Sequence, residues 1–260
     1  MATGVVVAML VGVATLAGVA FLRTQFVPKP APTCLVTSPA GRVRLSVSRA
    51  ANAATIAAVG KREGMVDHAV TVALVAALQE SKLDNLPFGD LDSVGLFQQR
   101  PSQGWGTPPQ LMDPNYAATA FYTALRRIPG WEALPVGDAA QAVQRSAAPD
   151  AYGPWEREGR VLADALTGES SAAFACQFDP PASAGQPGSL AAAVSAELGS
   201  PALDSTLADA RGWTVASWLV AHGYTYHITS VSFLGYLWTS SSGTWQPRPP
   251  TVAQVQVGRL

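Results

Sequence analysis

Charged side chains are scarce in this sequence. Asp, Glu, Lys and Arg make up 13% of the 260 residues, and the formal net charge is -1 at pH 7. No basic excess or polybasic run is present, which argues against a nucleic-acid partner and against attraction to an anionic lipid surface. Apolar residues make up 48% of the chain, a share typical of a globular protein rather than a disordered one.

Motifs for metal binding and for nucleophilic catalysis are also missing. The sequence has 2 cysteines and 3 histidines, with no Cys-x-x-Cys or His-rich spacing, so we expect no structural metal and no cofactor. His68, His222 and His227 are scattered, and no Ser or Cys nucleophile motif lies near them. Glu156 and Glu158 are predicted to lie on a solvated helix face rather than to form an acid–base pair.

Residues 4–22 form an uncharged run that is apolar except for glycine and one threonine. At about 1.5 Å per residue, the run is just long enough for a bilayer core of about 30 Å. We interpret residues 1–33 as a transmembrane anchor with a proline-rich linker; a cleaved signal peptide is the alternative. The positive-inside rule would place Arg23 and Lys29 in the cytoplasm, which conflicts with the extracytoplasmic location favoured by the features below.

The two cysteines, Cys34 and Cys176, stand just outside the two ends of a helix-rich region. An even number of cysteines in an exported chain favours one disulfide that ties these ends together. Two unrelated buried thiols are the alternative.

Helical patterns dominate residues 34–178 after two short extended pieces. Helices are predicted at about 48–62, 67–81, 114–127, 138–146 and 154–166. In the second of these, apolar residues recur at three- and four-residue spacing, which predicts one buried stripe. Asp113 before Pro114 is typical of a helix N-cap, and Asp138 is predicted to cap the following helix. Residues 83–110 are rich in turn residues, and a loop this long inside a compact domain is usually functional.

The last third of the chain is predicted to be a separate, small α/β domain at 189–260, joined by a linker at 179–188. Helices are predicted at 190–198 and 211–221, a β-rich stretch at 227–239, a turn at 240–243 and a strand at 253–257. This part has many Trp and Tyr residues and no motif that indicates a particular reaction. We expect the aromatic rings to form a core; a module that binds the cell wall or a partner is the alternative.

A glutamate and a glycine-containing segment form the most informative pattern. The chain reads Ala-Leu-Gln-Glu-Ser over residues 77–81, and Gly-Leu-Phe-Gln follows at 95–98 after the turn-rich loop. The pattern resembles the lysozyme-like superfamily, in particular lytic transglycosylases and goose-type lysozymes, and most resembles its exported actinobacterial members. Residues 113–122 resemble the next helix of that family. Residues 139–144 with Tyr152 are similar to its Ala-Ala-Tyr-Asn-Ala-Gly helix.

The resemblance covers about residues 34–176. It implies a mainly α, lysozyme-like domain at 34–178 with a short loop or hairpin region, and cleavage of peptidoglycan glycan strands outside the cytoplasm. Gln141 or Gln144 stands where the family usually has Tyr-Asn, so the substrate contacts there differ. A non-catalytic peptidoglycan-binding or scaffold protein that retains the fold is therefore the alternative. The location implied is the cell membrane, with the two domains after residue 33 outside the cytoplasm. A secreted protein is the alternative.

Glu80 is the predicted general acid. Cleavage of a glycosidic bond needs a protonated carboxylic acid beside the leaving oxygen. The C-terminus of a helix carries negative partial charge, and burial beside Leu78, Leu96 and Phe97 would also disfavour the carboxylate, so both effects are expected to raise the pKa of Glu80. Lys82 would oppose this if it turned inward, and we expect it to face solvent.

Asp90 and Asp92 are candidates for a second carboxylate, which could activate water or stabilise the transition state. Capping of the turn-rich loop is the favoured interpretation of both. If Glu80 acts alone, first as acid and then as base, the 6-hydroxyl of the sugar attacks and an anhydro product forms. The resemblance points to this reaction, lytic transglycosylation.

Several polar and aromatic side chains are candidates for substrate binding. Glutamine amides could hydrogen-bond sugar hydroxyls or N-acetyl groups, and aromatic rings could stack on sugar rings; packing within the loops is the alternative. The candidates are Ser81, Gln98, Gln99, Gln144 and Tyr152, together with Trp105.

Overall fold

The computed structural model describes residues 31–179, 189–199, 203 and 206–259. The chain divides into two units, Met1–Ala31 and a compact unit Pro32–Leu260. The anchor predicted at residues 4–22 lies outside the described residues, as does nearly all of the linker predicted at 179–188. Within the part of the chain that is described, no helix is both long and apolar enough to cross a membrane.

Three short strands flank the helical part of the compact unit, two before it and one after it in the sequence. They are β1 (Thr33–Ser38), β2 (Gly41–Ser46) and β3 (Phe174–Gln177), in the antiparallel order β2-β1-β3. Cys34 lies opposite Cys176 in this sheet, and the two form a disulfide with their Cα atoms 3.9 Å apart. The predicted disulfide is therefore confirmed, and it ties together strands that are 142 residues apart.

Six α-helices lie between β2 and β3. They are α1 (Val47–Arg62), α2 (Asp67–Ser81), α3 (Pro108–Leu111), α4 (Pro114–Leu125), α5 (Val136–Gln144) and α6 (Glu156–Leu166). The single buried stripe predicted for α2 is wrong, because every residue from Ala69 to Leu78 is buried. Helices α1, α4, α5 and α6 all pack against α2. An apolar helix surrounded in this way forms the centre of a core.

Two of the predicted helix starts can be compared with the observed caps. Asp113 caps α4 as predicted, since its Oδ1 accepts a 2.9 Å hydrogen bond from the backbone N–H of Asn115. Asp138 does not cap α5: the helix begins at Val136 after Pro135, and Asp138 lies in its first turn. There its carboxylate faces the positive end of the helix dipole.

In the described residues of the C-terminal part there are three α-helices and a second antiparallel sheet. The helices are α7 (Leu190–Leu198), α8 (Asp209–Ala221) and α9 (Gly223–Tyr226). The strands are β4 (Ile228–Phe233), β5 (Tyr236–Thr239), β6 (Thr244–Pro247) and β7 (Gln256–Arg259), in the order β6-β5-β4-β7. The strand predicted at 253–257 is thus displaced toward the C-terminus, whereas the turn at 240–243 is present.

One buried core runs through both parts of the compact unit. The indole N–H of Trp238 donates to the backbone oxygen of Cys176 over 3.0 Å, and the Ser217 hydroxyl donates to the oxygen of Ala165 over 2.9 Å. Trp218 and Trp238 are fully buried, so these aromatic rings form core as expected. Over the described residues the fold is mainly helical with two small antiparallel sheets, and the C-terminal part packs against the helices.

Candidate active site

Glu80 lies in the last turn of α2, next to two residues whose backbone conformation ends the helix. Lys82 and Leu83 both adopt left-handed backbone conformations, with φ of 59° and 66°. The backbone N–H of Leu83 donates to the oxygen of Ala77 over 3.2 Å, which closes the helix. Glu80 is half-buried there, next to the backbone carbonyls that carry the negative end of the helix dipole.

Burial raises the pKa of Glu80 above its ordinary value, as predicted. Three neighbours act in the opposite direction: the hydroxyl of Tyr152, the amide of Gln144 and the charge of Lys82. The strongest of these contacts is short, since the Tyr152 hydroxyl donates to Oε1 of Glu80 over 2.5 Å. The net shift of the pKa is upward, which is the direction that a general acid for bond cleavage requires.

Tyr152 was predicted to stack on a sugar ring, and the structure corrects this. Its side chain is fully buried, so no face of the ring is open to a ligand. Burial and the neighbouring Glu80 raise the pKa of Tyr152, so the phenol stays protonated and keeps donating to the carboxyl group. Sequence reasoning missed this role, because Tyr152 is 72 residues from Glu80 along the chain and no local pattern connects them.

Lys82 faces solvent, as expected. Its Nζ lies 4.1 Å from the centroid of the Trp155 ring, a cation–π arrangement. The indole N–H of Trp155 in turn donates to Oε1 of Gln79 over 2.8 Å. These contacts hold the lysine over an indole face rather than in an ion pair with Glu80.

Ser81 and Gln99 are buried, which corrects their prediction as substrate-binding residues. The Ser81 hydroxyl donates to the backbone oxygen of Leu96 over 2.7 Å, so it fixes the Gly-Leu-Phe-Gln segment against the end of α2. The Gln99 amide donates to the oxygen of Ala117 over 3.4 Å. Both side chains therefore support the site through hydrogen bonds in the interior and do not line its surface.

Gly95 explains why the segment begins with glycine. Its φ of 81° is left-handed, and a Cβ atom there would clash with the backbone oxygen of Leu111. Backbone bridges pair Gly95 with Leu86 and Val94 with Gln99, so the turn-rich loop folds back as a short hairpin. The loop is therefore anchored beside Glu80.

Gln98 and Gln144 are both half-buried. The amide of Gln98 donates to the backbone oxygens of Gly95 and Phe88, over 3.2 and 3.3 Å. The amide of Gln144 donates to the oxygen of Phe97 over 2.8 Å and also acts on Glu80. Gln141 instead donates to the oxygen of Ser146. Of the two glutamines of α5, Gln144 is therefore the one that contacts Glu80.

Asp92 is held in a local network. Its carboxylate accepts from Nε of Arg100 over 2.9 Å and from the backbone N–H and the hydroxyl of Ser102, over 2.7 and 2.9 Å. These bonds, the one from Arg100 above all, lower the pKa of Asp92 to about 2. Asp90 is exposed, and its backbone oxygen accepts from the N–H of Ser93. The contacts of Asp92 are those of a loop cap.

A groove of about 950 Å³ opens between α4 and α5, and Gln144 lines it. Trp105 and Tyr116 lie along the same groove, so the predicted stacking role of Trp105 stays a prediction with an accessible surface for it. Gln144 touches both the groove and the surroundings of Glu80. Gln144 therefore links the groove to Glu80, which does not itself line the groove.

Two of the three histidines, His68 and His222, pack against tryptophan rings. His68 stacks on Trp131, and His222 is buried with its ring 4.1 Å from that of Trp218. Burial lowers the pKa of His222. Among residues 31–179, 189–199, 203 and 206–259, no group of three or more His, Cys, Asp or Glu side chains could hold a metal ion.

Comparison with protein-family models gave no match for this chain, and comparison with curated proteins also gave none.

Proposed function

We propose that the protein cleaves the glycan strands of peptidoglycan, with Glu80 as the general acid, on a lysozyme-like arrangement of α1 to α6. The observation that carries the proposal is the surroundings of Glu80. The carboxyl group lies in the last turn of a central helix, is half-buried with a raised pKa, and contacts Gln144, which also lines an open groove. A protonated acid beside a groove of this size is what cleavage of a glycosidic bond needs.

The reaction proposed is lytic transglycosylation. Glu80 first gives its proton to the leaving oxygen, and the resulting carboxylate then accepts the proton of the 6-hydroxyl as that oxygen attacks the anomeric carbon. The engagement of Asp92 with Arg100 and Ser102 favours this single-carboxylate route over one that uses two carboxylates. The Tyr152 hydroxyl stabilises the carboxylate between the two steps.

The location proposed is extracytoplasmic, with the chain anchored in the membrane by residues 4–22 or secreted. The disulfide between Cys34 and Cys176 supports this location, because such bonds persist in oxidising compartments.

A second candidate is a peptidoglycan-binding protein without turnover. The observation that favours it is the 2.5 Å hydrogen bond from Tyr152, which stabilises the ionised form of Glu80 and so opposes its action as an acid.

The test is muropeptide release from purified sacculi by the wild type, by Glu80→Gln and by Glu132→Gln. Glu132 is exposed, so its variant removes the same charge elsewhere and is expected to match the wild type. We expect Glu80→Gln to release at least about 100-fold less muropeptide than the wild type. In the wild-type products we expect mass spectrometry to find anhydro ends. Reducing ends would indicate hydrolysis instead. Equal release by Glu80→Gln would contradict the role of Glu80 as the acid, and no release by the wild type together with retained binding to sacculi would favour the second candidate.

A further inference from the structure

The groove between α4 and α5 has a charge of one sign. Arg127 and Arg145 both line it, and no Asp or Glu is among the described residues that line it. The rest of its surface is polar or aromatic, with Trp105, Tyr116 and Gln144 as the largest contributors. A neutral sugar chain would need the aromatic and amide groups but not two guanidinium groups.

Neither arginine side chain takes part in the polar contacts that stabilise the fold. Both are exposed, and in the described part of the chain no hydrogen bond or ion pair holds either guanidinium group. Nearby arginines differ in this respect, since Arg126 pairs with Glu63 and Arg100 pairs with Asp92. The five N–H donors of Arg127 and of Arg145 are therefore available to a ligand.

The backbone explains how the two charges are placed. Arg127 follows the end of α4, and Arg145 is the C-cap of α5, with a left-handed φ of 52°. Cations are favoured at helix C-termini because the backbone carbonyls there carry negative partial charge. The two helix ends thus hold two positive charges on one groove without consuming their side-chain donors.

We propose that Arg127 and Arg145 bind carboxylates carried by the peptidoglycan strand, so that the groove selects strands with free carboxylates over neutral ones. The guanidinium fork matches a carboxylate with two parallel hydrogen bonds, which gives both affinity and orientation. In this arrangement sugar rings lie against Trp105 and Tyr116, and Gln144 is the groove residue that also contacts Glu80. The inference deepens the proposed function and rests on it for the identity of the strand.

Two parts of a peptidoglycan strand carry such carboxylates. One is the lactyl group of a muramoyl residue that has lost its peptide, and the other is the stem peptide. Both present the same chemical group to the arginines. Soluble tetrasaccharides of alternating N-acetylglucosamine and N-acetylmuramic acid, with and without stem peptides, separate the two sources.

The experiment measures binding by calorimetry with the full chain carrying Glu80→Gln, so that no probe is cleaved. Each tetrasaccharide is used with free carboxylates and with the same carboxylates converted to methylamides. We expect the free acids to bind about tenfold more tightly than the methylamides, from two partly exposed charged contacts. A preference seen with either tetrasaccharide or with both supports the inference: the peptide-free one reports the lactyl carboxylate, and the peptide-bearing one reports the stem peptide.

Arginine variants complete the test. Adding Arg127→Gln and Arg145→Gln should abolish the preference while the methylamides bind as before. The matched control is Arg42→Gln with Arg44→Gln, which removes two exposed charges on β2 and should keep the preference. Equal binding of acids and methylamides, no binding of either, or a preference that survives the loss of both groove arginines overturns the inference. Failure of the proposed function would show separately, as unchanged muropeptide release by Glu80→Gln.

Discussion

Two glutamates withdrawn from bulk water, Glu80 and Glu197, have different surroundings. Glu197 is 8% exposed, and each of its carboxylate oxygens accepts a hydrogen bond: Oε1 from the Asn115 amide over 3.2 Å, and Oε2 from the Trp218 indole over 2.7 Å. Glu80 is half-buried, next to a groove, with a phenol on Oε1. A buried carboxylate with donors on both oxygens serves the fold, whereas one that keeps a route to solvent can exchange a proton with a ligand.

The comparison also separates two regions of the molecule. Glu197 on α7 contacts α4 through Asn115 and α8 through Trp218, so it joins the C-terminal part to the helices. Glu80 joins α2 to the buried Tyr152 and to Gln144 at the end of α5, and it stays half-buried rather than fully buried. We therefore expect substitutions at the two glutamates to affect different measurements.

The largest expected effect is on activity. Glu80→Gln should lower the rate of glycan cleavage by about 100- to 10,000-fold, the usual contribution of a general acid. Its free energy of unfolding should stay within about 1 kcal/mol of the wild type, because glutamine has the same shape and can still accept from Tyr152. Urea unfolding followed by circular dichroism measures the second quantity. A large loss of stability would make the two glutamates alike and would break the comparison.

The next effect is on stability. Glu197→Gln replaces one acceptor oxygen by an amide donor, which then faces the donor of Asn115 or Trp218. We expect the free energy of unfolding to fall by about 1–3 kcal/mol, while the activity per folded molecule stays at the wild-type level. Glu132→Gln at the surface is the control and should change stability by less than about 0.5 kcal/mol. Loss of activity in folded Glu197→Gln protein would contradict the structural role.

A smaller effect is expected from Tyr152→Phe. The Tyr152 hydroxyl lowers the pKa of Glu80, so its removal should raise that pKa further. Because the acid must be protonated to act, activity falls as the pH rises through this pKa, and the descending limb of the pH–rate profile should move to higher pH. Measuring kcat/KM on soluble glycan strands between about pH 4 and 8 checks this. A limb that stays in place would separate Tyr152 from the chemistry.

The smallest effect concerns a third carboxylate. Burial, with Asp67 and Asp164 close by, raises the pKa of Glu169 from 4.5 to about 6. The folded protein therefore binds more protons than the unfolded chain between these values, so this residue lowers stability as the pH rises through that interval. Glu169→Gln should flatten the decline, and thermal unfolding at pH 4 and pH 7 should show the variant gaining relative to the wild type only at the higher pH. An equal gain at both pH values would exclude a titrating carboxylate.

Much of the local structure could be predicted because its causes are local. The bounds of α2 and α7 were predicted as observed, at 67–81 and 190–198, because each apolar segment lies between polar or turn-forming residues. The cap formed by Asp113 followed from a carboxylate placed before a proline. The error at Asp138 has a physical reason too, since proline before the helix fixes the start of α5 two residues earlier than the acidic residue suggests.

The parts that could not be predicted depend on distant partners. Strand β3 has only four residues, and it forms because it pairs with β1. The burial of α2 on all sides depends on four other helices. Ser81 and Gln99 are chemically suited to bind a sugar, but packing turns both inward.

The sequence by itself determined the candidate acid, the spacing from Glu80 to Gly95 and the pairing of Cys34 with Cys176, since residue identity and order along the chain carry that information. Only the tertiary structure decided that Tyr152 donates to Glu80, that Gln144 rather than Gln141 approaches it, and that Arg127 and Arg145 share one groove. The physical reason is that a pKa and a binding surface depend on burial and on neighbours in space, which folding brings together from separate parts of the chain.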